Sequence, residues 1–159
     1  MRSTEEAVKS SSIPSIYEAT FAYDDVLIRA DILERAGDGA WNLIEVKSGA
    51  SEKIESLRDK HLYDVAVQHY VLSGMGFEIR QAGILDLNKK YVYEGDELDL
   101  EGLLKFTDLK EDAVEVREEV PTRIAELKDI LKDRTPPSID PSRHCSKPYA
   151  CKKGTSIKI

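Results

Sequence analysis

The chain has 159 residues, 41% of them hydrophobic and 33% charged, with a formal net charge of −7. That length suits one domain or a domain with a short tail, and no apolar run approaches the roughly 18 residues that span a bilayer. The acidic balance argues against a broad basic grip on nucleic acid, though not against an enzyme whose carboxylates hold metal ions that meet a phosphate.

The opening stretch MRSTEEAVKSSS carries acids and no apolar segment, so it reads as a lead-in over 1–15 and not as a signal peptide. Two β-favouring runs follow, 16–23 and 26–33, separated by Asp24-Asp25 as a tight hairpin turn. Gly37 and Gly39 mark a second turn, leading into a third strand over 41–47. Residues 53–72 carry Leu57, Leu62, Val65, Ala66 and Tyr70 near helical period, and Gly74 and Gly76 close that helix. A strand over 78–87 comes next, with a short one at 91–93. From Leu98 onward the pattern is charged and helical. One long amphipathic helix is expected over 112–132, packed through Val116, Val120, Ile124, Leu127 and Leu131, with Pro121 early in it and Pro136-Pro137 ending it. This order gives an α/β fold with a mixed central sheet: a three-stranded meander, a crossover helix and a further strand, flanked by helices. The domain is expected over 16–134, with an irregular tail over 135–159.

Alternation along a strand places residues two apart on one face. Glu45 and Lys47 therefore point the same way, and Ile44 and Val46 toward an opposite, apolar side. On the second strand Ile28, Ala30 and Ile32 form an apolar face and Asp31 lies on the other. If the two strands pair, Asp31, Glu45 and Lys47 converge at one edge of the sheet. Two carboxylates are hard oxygen ligands suited to Mg²⁺ or Mn²⁺, and a bound metal polarises a phosphate and lowers the pKa of a water. Lys47 can orient that water or offset developing charge. On the helix, His61, Asp64 and Gln68 share one polar stripe, which must face solvent or a site, with Tyr70 a fraction of a turn beyond. The plainer alternatives are an ion-pair patch on an exposed sheet face, a solvated helix face and a half-buried tyrosine.

The segments IRADILE, WNLIEVKSG and HLYDVAVQHYVL, in that order, resemble the D…ExK…Q-Y series of RecB-like nucleases of the PD-(D/E)xK superfamily, including the nuclease module of a bacterial family and CRISPR-associated RecB-like exonucleases. ExK alone is common on charged strands; the ordered series is more specific. The resemblance covers 16–87 and continues into HCSKPYAC. It implies a restriction-endonuclease-like core and a cytoplasmic, metal-dependent (exo)deoxyribonuclease. It also implies DNA as partner, with RNA left open and no membrane, and further domains or partner chains in a larger protein. Asp31, Glu45 and the Val46 backbone carbonyl match the ligands of Mg²⁺ or Mn²⁺, Lys47 the motif lysine, and Gln68 and Tyr70 the glutamine–tyrosine motif. Glu18, on the first strand, is a lesser candidate ligand.

His144, Cys145 and Cys151 form a thiol and imidazole cluster in the tail. Cluster-bearing relatives join C-terminal cysteines to an upstream one, giving the four thiolates a 4Fe–4S cluster needs. This sequence has two cysteines and none upstream, so an iron–sulfur or zinc site here requires cysteines supplied from elsewhere. Two reduced thiols without a disulfide framework suit the cytoplasm. A non-catalytic α/β module that keeps the scaffold for nucleic-acid or protein binding is the alternative to a nuclease, favoured by the acidic charge and the missing cysteines.

Overall fold

The computed structural model describes residues 3–48, 54–95, 97–132 and 135, with 54–60 as backbone alone. Cys145, Cys151, His144 and most of the expected tail lie outside the described residues. Helix α1 (Thr4–Lys9) is closed at its start by a capping box, Ser3 and Glu6 each bonding the other's backbone amide. Strands β1 (Ser15–Tyr23), β2 (Val26–Arg35) and β3 (Trp41–Val46) form an antiparallel meander. Asp24 and Asp25 turn the first hairpin with φ of 50° and 59°. Positive φ at both central residues is what the right-handed twist of a two-residue hairpin requires, and Asp tolerates it better than most side chains.

Helix α2 (Ile54–Gly74) crosses over to β4 (Ile79–Leu87), which runs parallel to β3. A fifth strand, β5 (Leu104–Asp108), pairs antiparallel with β4, giving an open mixed sheet in the order β1-β2-β3-β4-β5. Leu33, Leu43, Ala82 and Ile84 are fully buried. The cross-strand pairs Leu33↔Leu43 and Glu45↔Ile84 put them on the face that α2 covers. Val65, Ala66, Val71 and Leu72 fill the interface from the helix side.

Three local expectations change. Residues 91–93 are not a strand; after a short helix α3 (Leu100–Leu103), the extra strand is β5, in a stretch whose charges suggest helix. The edge of β4 supplies backbone partners that outweigh weak local preference. At their crossing, a Cβ on Gly83 would lie 2.1 Å from the Thr107 carbonyl oxygen, so the two backbones approach closely only because Gly83 has no side chain. The long helix over 112–132 is instead two, α4 (Lys110–Arg117) and α5 (Val120–Lys132). Pro121 has no amide to donate to the Arg117 carbonyl, so the helix stops and restarts with the proline in its first turn. Only the start of α5 packs as expected: Val120 is buried, Val116 and Ile124 are half-buried, and Leu127 and Leu131 are exposed. The chain divides into two compact units, Met1–Thr122 and Arg123–Ile159, and all five strands belong to the first.

Candidate active site

Asp31 owes its position to a break in the hairpin. The β1–β2 ladder runs on both sides of the Glu18–Asp31 position but skips that pair, and Glu18 has φ of 54°. The buried positions change parity there, passing from Ile16 to Ala19 on β1 and from Ala30 to Leu33 on β2. The apolar face expected to include Ile32 therefore shifts to Leu33. Left-handed backbone is uncommon for a glutamate, so the kink is a strained local feature held by its surroundings. On the other side, the β2–β3 ladder reaches Ile32↔Ile44 and goes no further. The Asp31 carboxylate takes over, its Oδ2 accepting the Val46 amide at 2.8 Å.

Glu45 and Lys47 project from the face under α2, in line with buried Leu43, so they do not belong to an exposed sheet face. The opposite side, expected to be apolar, is more open: Ile44 is half-buried and Val46 exposed. Lys47 Nζ donates to Glu45 Oε1 at 2.7 Å and to Asp64 Oδ2 at 3.1 Å. Gln68 Nε2 donates to Glu45 Oε2 at 2.8 Å. Both oxygens of Glu45 are thus engaged, one from its own strand and one from the crossover helix. His61 Nδ1 lies 3.8 Å from Asp64 Oδ2. The helix stripe faces this cluster, and Gln68 is only 8% exposed. Its carbonyl Oε1 is buried with no hydrogen-bond partner among the described residues. The amide orientation follows from Glu45, since a carboxylate accepts only from Nε2.

Burial pulls the Lys47 pKa down, but the hydrogen bonds to Glu45 and Asp64 and their charges outweigh it, and the net shift is upward. Lys47 is therefore an ammonium at neutral pH, able to neutralise anionic charge and unable to serve as a base.

The donor chemistry fits a hard divalent cation. Glu45 and Asp64 set two carboxylates on the single ammonium of Lys47, and the Asp31 carboxylate lies at the Val46 amide between Glu45 and Lys47 in the chain. Two carboxylates with several retained waters suffice for Mg²⁺. Asp31 Oδ2 is held by Val46, an orientation that fixes the carboxylate in place. No group of three or more His, Cys, Asp or Glu side chains stands ready as a metal cage among the described residues.

Hydrogen bonds join Glu45, Lys47, Asp64 and Gln68, while Asp31 bonds the Val46 backbone amide next to Glu45 and Lys47 in the chain. Tyr70 points elsewhere: its hydroxyl donates to Asp24 Oδ2 at 3.0 Å and its ring packs edge-on against Tyr23, 5.5 Å between centroids. Two residues along a helix rotate the side chain about 200°, so Gln68 and Tyr70 face different neighbours. Glu18 forms an ion pair with Arg29, 2.6 Å from its Nε. Three relevant residues escape the strand-and-motif argument. Asp64 is visible as part of the helix stripe, but its bond to Lys47 is not. Arg29 lines a groove of about 450 Å³ beside the cluster, together with Glu45, Tyr63, Asp64 and Gln68. Asp86, 2% exposed, follows Ile84 on the α2-facing side of β4. A carboxylate at an alternate position of a buried strand is its one sequence signal.

No protein-family model, curated protein or solved structure matches this chain.

Proposed function

We propose that this chain is a RecB-like nuclease module of the PD-(D/E)xK class, hydrolysing phosphodiester bonds of DNA with Mg²⁺ or Mn²⁺ as part of a larger protein. The observation that carries the proposal is the bond between Gln68 and Glu45, 23 residues apart, which joins the helix motif to the ExK strand. Asp31 beside the end of that strand completes the ordered series on which the resemblance rests. A three-stranded meander crossing through a helix to a parallel fourth strand agrees with a restriction-endonuclease-like core.

In this mechanism Asp31 and Glu45 would hold the metal, with the Val46 carbonyl as the third protein ligand that the resemblance implies; when bound, the ion would supply polarisation of the scissile phosphate and a water of lowered pKa. Gln68 fixes the rotamer of Glu45 through its amide, and its Oε1 is buried without a hydrogen-bond partner among the described residues. Lys47, kept charged by Glu45 and Asp64, offsets negative charge that accumulates on the phosphate oxygens in the transition state. Asp64 acts through Lys47, as a positioning residue.

The alternative, a binding module that keeps the scaffold without catalysis, is favoured by one observation: both oxygens of Glu45 are already satisfied within the protein. Cleavage of single- and double-stranded DNA with Mn²⁺, beside Mn²⁺ binding by calorimetry, separates the two. The nuclease reading expects cleavage that falls by about a hundredfold or more in Lys47→Ala, on the scale of losing one preorganised electrostatic contact. It expects Glu45→Ala to lose metal affinity as well. A folded parent that neither binds Mn²⁺ nor cleaves returns the protein to the binding-module alternative.

A further inference from the structure

The connection from β4 to β5, residues 88–103, is closed on itself. The Asn88 amide donates to the Leu103 carbonyl at 2.8 Å and its Nδ2 to the Gly102 carbonyl at 2.8 Å, which ties the two ends together. Across the middle, the Asp99 amide donates to the Tyr91 hydroxyl at 3.2 Å, and the Asp99 carboxylate caps α3 by accepting the Gly102 amide at 3.0 Å. A loop braced by its own side chains in this way presents a defined surface. That surface is apolar where a loop is ordinarily polar: Val92 is 74% exposed, Tyr93 57%, Leu98 54% and Leu100 57%. Single exposed apolar residues are ordinary, but this cluster lies on one small loop, with Tyr91 preceding Val92 and bonded to Asp99, between Leu98 and Leu100. Such a patch marks an interaction surface. Its charge is one-sided, because Tyr91 to Leu103 holds Glu94, Asp96, Glu97, Asp99 and Glu101 and no lysine or arginine.

We infer that this loop docks a basic protein partner, one that presents an apolar face flanked by lysine or arginine. Charge chooses the occupant. The carboxylates repel nucleic acid and an anionic lipid surface, and a second copy using the same loop brings the same acids against them. A cationic rim around an apolar face meets both features of the loop, with the rim charges steering the encounter and the apolar contacts holding it. The position gives the docking a use. β4 ends two residues beyond Leu85, whose carbonyl accepts the Lys47 amide at 2.9 Å, so the loop springs from the end of the sheet that carries Glu45 and Lys47. A chain of net charge −7 lacks a broad basic surface for a polyanion, and a basic partner beside the site supplies one. That use rests on the nuclease reading; the docking itself does not.

The probe is a labelled amphipathic helical peptide of leucine and lysine, beside its counterpart with glutamate in place of lysine, titrated against the full chain by fluorescence anisotropy. The parent is expected to bind the lysine peptide and not the glutamate one. Val92→Ser combined with Leu98→Ser removes apolar surface without changing charge and should weaken binding about tenfold or more. Glu94→Gln combined with Glu97→Gln should weaken it at low salt and flatten its salt dependence. Leu27→Ser, at a 72% exposed position on β2, binds as the parent does. All of these positions are exposed, and circular dichroism checks that each variant folds. Equal binding of the two peptides, parental affinity in the Val92 and Leu98 variant, an equal loss in Leu27→Ser, or no binding overturns the inference. So does a dimer in sedimentation velocity, or co-sedimentation with phosphatidylcholine vesicles, that the Val92 and Leu98 variant abolishes, since the occupant is then a second copy or a membrane. A chain that cleaves DNA with Mn²⁺ yet binds no peptide keeps the nuclease reading and loses the docking loop. One that binds the lysine peptide through Val92 and Leu98 yet neither binds Mn²⁺ nor cleaves keeps the loop and loses the nuclease.

Discussion

Protonating His69 forces a charge into the contact between α2 and α4, and the cost can be read as a pH dependence of stability. His69 is 4% exposed, and burial followed by the charges of Arg117 and Lys110 lowers its pKa to about 4 from an ordinary 6.5. Its Nδ1 lies 3.2 Å from the Ser73 hydroxyl. Because folding depresses the pKa, the unfolded chain binds a proton between about pH 4 and 6.5 that the folded chain refuses. Stability from this group is therefore complete above about 6.5 and is lost as pH falls toward 4. A shift of about 2.5 units sets a ceiling of about 3.4 kcal/mol, and linkage puts the loss at about 2 kcal/mol on going from about pH 8 to about pH 5. His69→Gln keeps a polar partner for Ser73 but cannot titrate. Urea unfolding of parent and variant at the two pH values isolates the histidine, since the carboxylates are common to both. The parent should lose about 2 kcal/mol more than the variant. Equal losses would mean that His69 is not held neutral by this interface, and that the packing which positions α2 over Glu45 is looser than described.

Two further outcomes test the site and its frame. Asp31→Asn preserves an oxygen to accept the Val46 amide, so the melting temperature should change little while Mn²⁺ affinity measured by calorimetry falls at least tenfold; a large loss of stability instead would make Asp31 a structural residue. Gly83→Ala drives a Cβ into the Thr107 carbonyl and should destabilise the first unit by about 1–3 kcal/mol or more in thermal or urea unfolding, whereas a neutral effect would refute the close crossing of β4 and β5.

The sequence by itself determined the elements whose signals are local. Strand alternation set Glu45 and Lys47 side by side, helical period put Asp64 and Gln68 on one stripe, and Asp24-Asp25 announced the hairpin, because each depends on periods and turn preferences within a few residues. The order meander, crossover helix, strand follows from the same signals taken in sequence. Tertiary structure decided what depends on distant partners. Glu18 takes a left-handed conformation that a glutamate does not choose alone, and the resulting change of parity turns Leu33 inward and leaves Asp31 to bond Val46. Tyr70 sits two residues from Gln68 in the chain yet bonds the hairpin turn, since a helix turns its side chains about 100° per residue. β5 forms where the backbone edge of β4 is available and where Gly83 lets another chain approach, a complementarity that the charged, locally indifferent segment does not display.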